Sequence, residues 1–409
     1  MLYNFGTMLS ISESKVLPSS CKNFAVGFSH SDKPFMAGVE AAKDGLEALS
    51  IKEVSFAIVV ISRNYEYKKV IEGIKQILPH TPLIVIFQDN IITYELASNK
   101  GIAIAMFGKD IKVSYYLAKG FSLSSKKAFK DAFSEILNEP KAYKNDMLLF
   151  LIPGSIPLAG QNSVLSIEEI KDKFNFIVGG VIGKLNSVEY QTFIVEDKAY
   201  TDHAIILRIQ TNDNIAVSQS YGFHPVRPFV ITSAKGDIIV SLDDQSAFYA
   251  LMNTLSKKGI DDGQLKDPVK AQKVLSNYQF AIADKSRPGL FKSLVPLAIT
   301  EKGIRVNSFV NENSTIWLME FSKEEIFEGV DKMSTRILNS LKSMSGGIIF
   351  ENVVRRILLG DEDYVKEKKI IWDNLRVPFL VIETIEEIVY SENLYGGSHS
   401  GSILSAFYE

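Results

Sequence analysis

Two arginines and three glutamates near the C-terminal end have the types and spacing to do chemistry. Arg355 and Arg356 follow an apolar run, Gly347 to Phe350, that reads as a strand, and Glu383, Glu386 and Glu387 follow the next, Phe379 to Ile382. A guanidinium forks onto a carboxylate or phosphate, and carboxylates answer an ammonium, so the set suits a zwitterion such as an amino acid. It equally suits a structural cluster of ion pairs, and both readings stay open. Gly179-Gly180-Val181-Ile182-Gly183 follows another apolar run, Phe176 to Val178. It is not G-x-G-x-x-G, and it reads as a tight strand-to-hairpin turn or as a place where backbone approaches a ligand.

The remaining candidates are weaker. Ser155 lacks a G-x-S-x-G elbow, and a loop serine is more often a turn former or helix cap than a nucleophile. The five histidines show no metal-ligand spacing; His399 stands out because its Gly396–Gly401 surroundings let backbone come close to a ligand. Cys21 has no neighbour that would lower its pKa strongly. No catalytic residue, metal site or cofactor follows from the sequence.

Bulk properties exclude some functions. A net charge of -3 over 409 residues gives no pull toward nucleic acid or an anionic membrane. One cysteine excludes an intrachain disulfide. No apolar run reaches the roughly 18–20 residues of a membrane span, and the N-terminus lacks a signal-peptide pattern, so we expect a cytoplasmic protein without membrane insertion.

The elements that position these residues are written about three times. Each copy runs strand, helix, apolar strand, second helix, third strand, hairpin: β-α-β-α-β-β, at about 24–107, 112–208 and 315–408. In the first copy, Ser31 or Asp32 is the expected helix cap, and Phe35, Val39, Ala42, Leu46 and Leu49 share one helix face. Val54 to Ile61 is nearly all apolar, as for a strand covered on both faces. In the second, Ser124 caps a helix lined by Phe129, Phe133 and Ile136, and a short helix spans Ile167 to Phe174. In the third, Thr315 to Glu320 reads as the opening strand, Ser322 and Glu325 as a capping box, and Tyr364 to Leu375 as the second helix. Residues 210–314 look like short strands with two helices, a worn fourth copy or an insertion, with Gly259 to Gly263 as the best linker.

Taken in order, these features resemble the FIST family (F-box and intracellular signal transduction proteins). Phe24-Ala25-Val26-Gly27 with Ala37-Gly38-Val39-Glu40-Ala41-Ala42 is similar to the family's first strand and A-G-x-E-A-A helix, and Gly179-Gly180 to its central turn. Gly222-Phe223-His224-Pro225, Val230-Ile231-Thr232, Gly236 and Leu242-Asp243 resemble the opening of FIST C. Phe350 and Arg355-Arg356-Ile357-Leu358-Leu359-Gly360 resemble its F-x-C-x-x-R-x-x-L-G stretch, and Val377-Pro378, Thr384 and Glu387-Ile388 its V-P-x-x-G-F-x-T-x-G-E segment. Departures are clear: the G-C-[ST]-T-x-G-E element is lost at Val85 to Ile91, Val381 and Glu386 replace glycines, and Asn352 stands where the family has cysteine.

The resemblance implies a stand-alone sensory protein that binds a small molecule, amino acids being the proposed class, and signals through a separate signalling protein. The expected fold is α/β, with mixed β-sheets covered by helices, in two joined domains: 20–210 FIST N-like and 211–409 FIST C-like. The expected ligand contacts are Thr232, Arg355, Arg356, Glu383, Thr384, Glu387, Gly179 and Gly180, with Arg355 on the ligand carboxylate. The alternatives are an enzyme of unrecognised type using the loop carboxylates, or a protein-interaction scaffold.

Overall fold

The computed structural model describes residues 8–11, 22–154, 159–183, 191–283, 291–300, 302–394 and 396–409. Cys21 and Ser155 lie outside the described residues. The fold is α/β, with four sheets among the described residues and helices packed against them.

Three sheets are built on one strand order. In the first unit the opening strand Phe24–Ser29 leads through helix Pro34–Ala48 to the central strand Val54–Ser62, then through helix Tyr67–Ile77 to Leu83–Gln88. After the hairpin Ile91–Thr93 and Leu96–Ser98, the chain returns as the closing strand Ile102–Gly108. The central strand pairs parallel with the third and antiparallel with the closing strand, which pairs antiparallel with the opening strand. The second unit repeats this with Lys112–Lys119, Asn145–Pro153, Phe176–Ile182 and His203–Thr211. So does the third, with Ile215–Tyr221, Gly346–Asn352, Phe379–Thr384 and Ser402–Tyr408.

The third unit therefore opens on Ile215–Tyr221, and the reading of Thr315 to Glu320 as its opening strand is corrected. Thr315–Phe321 belongs instead to an eight-stranded antiparallel sheet formed by residues 223–321, beside Phe223–Lys235 and Tyr278–Ala283. Helices Ala247–Leu255 and Pro268–Asn277 cover it and share its core with Phe229, Ile231, Leu251, Phe280 and Leu318. This segment interrupts the third unit between its opening strand and its first helix, Lys323–Ser340. Sequence pattern placed the strand correctly but could not choose its partner, because Thr315–Phe321 alternates just as a unit-opening strand would.

Each hairpin leaves its own unit. The first unit's Ile91–Thr93 extends the third unit's sheet at Phe379–Thr384, and the second unit's Phe193–Val195 extends the first at Leu83–Gln88. The third unit's Glu386–Tyr390 extends the second at Phe176–Ile182. The exchange is cyclic, so no unit is complete without its neighbours. Alternation divides the central strands: Phe56, Ile58 and Val60 join Leu149, Leu151, Ile348 and Phe407 in one shared core, while Ala57, Val59 and Ile61 face the first unit's helices.

Local departures have local causes. Lys33, not Ser31 or Asp32, is the first helix's cap residue, and Pro34 sets the helical φ at its start. Ser124 and Ser322 accept backbone N–H bonds from Lys127 and Glu325, but the Ser322–Glu325 capping box is only half formed, because the Ser322 N–H goes to the Gly222 carbonyl. The second unit's second helix is Ala159–Ile167, about two turns earlier than read, with only a 3₁₀ turn at Lys171–Lys173. The third unit's second helix starts at Val353, because Asn352 caps it, and Gly360 (φ 74°) breaks it. Asp261 and Gln264 form a capping box for helix Asp262–Lys266, so the Gly259–Gly263 stretch is half structured. Among the described residues, no helix is long and apolar enough to cross a membrane.

Candidate functional site

The three glutamates stand where the chain leaves the third unit's sheet for the second's, and each turns to a different neighbour. Glu383 accepts from Asn90 Nδ2 at 3.0 and 3.1 Å, in the first unit's loop. Glu386 accepts from Ser398 Oγ, with Lys292 of the inserted sheet nearby. Glu387 accepts from Thr384 Oγ1 at 2.5 Å, Ser402 Oγ at 2.6 Å and Asn352 Nδ2 at 3.1 Å. Burial pushes each carboxyl up to about 7, against the pull of its donors. Asn352 Nδ2 also donates to the Ile385 carbonyl at 2.9 Å, while its Oδ1 accepts from Val354 N–H, so this residue holds the hairpin and caps the helix at once.

Gly179 and Gly180 lie inside the strand Phe176–Ile182 rather than in a turn, which corrects that reading. Gly180 pairs with Glu387 in register, and a Cβ there would sit 2.3 Å from Thr384 Cγ2. At Gly179 (φ 153°) a Cβ would fall 2.2 Å from the Phe150 carbonyl. The glycines let the donated hairpin close on the second unit, and protein atoms fill the space over them.

Arg355 is 1% exposed and answered from within. Its Nε donates to Glu367 at 3.1 Å, one terminal nitrogen donates to the same carboxylate, and the other to the Gly401 carbonyl at 3.1 Å. Lys368 bridges Glu351 and Glu367 at 2.5 and 2.6 Å, and Tyr364 donates to Glu351. Burial drives Glu351 above the carboxylate range, whereas at Glu367 the Arg355 and Lys368 charges overcome burial and hold it below. Arg356 reaches Asp361 across the Gly360 break at 3.1 Å. The expectation that Arg355 meets a ligand carboxylate is corrected, because its fork already holds one. Thr232 stands apart on the inserted sheet, bonded to Ser241 Oγ at 2.8 Å and to Asp244 N–H at 3.1 Å.

A cleft of about 340 Å³ opens between the inserted sheet and the third unit. Gln219 and Tyr221 of the opening strand, Gln279 and Ser293 of the inserted sheet, and Glu325, Lys332 and Arg336 of helix Lys323–Ser340 line it. Arg336 donates to the Gln219 carbonyl at 2.8 Å, and no carboxylate among the described residues pairs with it. Arg336 is exposed as a residue, and the partial burial of its guanidinium pulls its pKa down. Behind the wall, Gln219 Nε2 donates to Ser402 Oγ at 3.1 Å, and Ser402 donates to Glu387. Glu387 and Thr384 thus sit in the second layer of this cleft. A second cleft of about 750 Å³ lies beside the hairpin at Tyr390, where Lys171 is already paired with Glu168 at 2.6 Å.

With this geometry in view, the comparison with known families is decisive on one point: the FIST N domain description matches residues 55–245. The chain carries a FIST N domain. The match begins one residue into the first unit's central strand and ends in the inserted sheet, so it spans the second unit whole. FIST domains form a family of sensory and signal-transduction domains, which supports a general signalling role. No curated protein matches the chain.

Sequence reasoning missed Gln219, Tyr221 and Arg336. Their signal was present: Gln219 and Tyr221 share a strand face at spacing two, and Lys332 and Arg336 a helix face at spacing four. Finding them required knowing that residues 222–321 are an insertion, which brings strand and helix together.

Proposed function

We propose that the protein is a sensor binding a small carboxylate-bearing metabolite, an amino acid or close relative, in the cleft between the inserted sheet and the third unit. The carrying observation is Arg336, a guanidinium on the cleft with a backbone carbonyl but, among the described residues, no carboxylate to answer it. The cleft lies in the volume range of small-ligand sites, roughly 300–1,000 Å³. Gln219, Tyr221, Gln279 and Ser293 supply donors and acceptors around it, and Glu325 offers a carboxylate to a ligand ammonium.

On this reading the output passes to a separate signalling protein. Glu387, Thr384 and the Gly179–Gly180 strand act behind the ligand, as the junction through which the third unit grips the second. A division near residue 210, into FIST N-like and FIST C-like parts, follows the step from the second unit's closing strand to the third unit's opening strand. A thermal-shift screen of amino acids and organic acids, followed by calorimetry, tests the reading. Carboxylate ligands stabilise the protein and neutral analogues do not; a screen in which carboxylates give no shift overturns the proposal.

A further inference from the structure

Glu387 takes its hydrogen bonds unequally. Thr384 Oγ1 and Asn352 Nδ2 both donate to Oε1, whereas among the described residues the hydrogen bond to Oε2 comes from Ser402. From Ser402 the bonds continue to the cleft: Gln219 Nε2 donates to Ser402 Oγ at 3.1 Å, and Tyr221 donates to Gln219 Oε1 at 2.9 Å. His399 Nδ1 lies 2.8 Å from the Tyr221 oxygen. Tyr221 has one hydroxyl proton, so while it donates to Gln219 the His399 contact needs its proton on Nδ1. Every bond in the chain then points toward the carboxylate.

A proton on Glu387 Oε2 reverses that polarity without breaking the chain. Oε2–H donates to Ser402 Oγ, and Ser402 donates to Gln219, whose amide has turned over. Gln219 then donates to the Tyr221 oxygen, and Tyr221 donates to His399 Nδ1, whose ring proton moves to Nε2. Ser402, Gln219 and Tyr221 each keep one bond given and one received along the chain, and Oε1 keeps Thr384 and Asn352. The net change is one proton gained at Glu387.

We propose that this chain is a two-position switch that ties the polarity of the cleft wall, at Gln219 and Tyr221, to the protonation of Glu387. The groups facing it come from every side. Arg355 acts on Glu387 from the helix, Glu386 precedes it, and His399 pairs with it in the hairpin. Lys292 stands beside Glu386, Tyr221 reaches in from the opening strand, and the second unit presents Gly180 in register, with no charge. Burial sets Glu387 near neutrality, so both positions are populated within an accessible pH range. By linkage, a ligand that prefers one position of Gln219 takes up or releases a proton on binding.

Nitrogen-15 NMR of histidine-labelled protein between pH 5 and 9 tests the switch, with the His399 signals assigned by their loss in His399→Gln. The expected result is an exchange of pyrrole-like and pyridine-like character between the ring nitrogens, with Nδ1 carrying the proton at high pH. In Glu387→Gln, whose side-chain N–H donates to Ser402 as the acid would, the Nε2–H form should persist throughout. Ser402→Ala, which cuts the chain beyond Glu387, should likewise leave the tautomer independent of pH. A wild-type tautomer constant across the range, an imidazolium, or an exchange unchanged in both variants overturns the inference. The proposal rests on the ligand reading of the cleft only for its use. Failure to bind carboxylates would leave the tautomer result standing, and a constant tautomer would leave the cleft reading standing.

Discussion

Arg355 and Arg336 make opposite use of the same side chain. Arg355 is sunk among Glu367, Glu351, Lys368 and Tyr364, where each charge has its answer inside the protein. Arg336 stands on the cleft with one carbonyl partner among the described residues. A guanidinium that already forks onto a buried carboxylate has nothing left for a ligand, and breaking such a pair leaves a charge stranded. A guanidinium without that partner costs little to remove and gains most from a bound anion. The difference separates a stability residue from a binding residue, though both are arginines in the third unit.

The sharpest way to break the comparison is at Lys368. Lys368→Ala takes the ammonium from Glu351 and from one oxygen of Glu367, which keeps Arg355, and unfolding by denaturant should show a loss of about 3–5 kcal/mol. A loss no larger than that of a surface substitution would mean that the nest is not what holds Arg355. Next in size is Gly180→Ala, whose methyl meets Thr384 Cγ2 and should cost about 1–3 kcal/mol. Thr384→Ser removes that methyl and keeps the hydroxyl on Glu387, so the double variant should recover part of the loss; additive losses would place the strain elsewhere.

A separate effect is visible in pH. Glu387 is raised from 4.5 to about 7, so the folded protein holds this proton more tightly than the unfolded chain. Its contribution is fully present below about 4.5 and is lost as pH rises through about 7. Because Glu383 and Glu386 shift the same way, the informative quantity is wild type minus Glu387→Gln. That difference in melting stability should fall between pH 4.5 and 7 and stay level outside; a rise, or a flat line, would contradict the burial of this carboxylate.

Much of the fold was legible because periodicity reports burial. Val54 to Ile61 reads as a covered strand, and it is one; Phe129, Phe133 and Ile136 read as one helix face, and they pack together. Partners were less legible. Thr315–Phe321 has the pattern of a unit-opening strand, yet it pairs with Phe223–Lys235, and nothing in a strand's own alternation names its neighbour. The glycines misled in a related way. Gly179-Gly180 looks like a turn from composition, while its cause is a strand from the third unit pressed against it. At the site, the sequence singled out Glu387, Thr384 and Arg355 from their place after strands. The structure puts the first two behind the cleft and the third in a closed nest, and Arg336 faces the cleft because an insertion built the opposite wall.

Calorimetric titration of the carboxylate ligands found by screening, against wild type, Arg336→Ala and Arg355→Lys, tests the central claim most directly. The account predicts that Arg336→Ala weakens binding by about tenfold or more, roughly 1.4 kcal/mol, with melting stability within about 0.5 kcal/mol of wild type. Arg355→Lys should lower stability and leave the affinity of the folded protein unchanged. Unaltered affinity in Arg336→Ala, or binding lost only in Arg355→Lys, would contradict it.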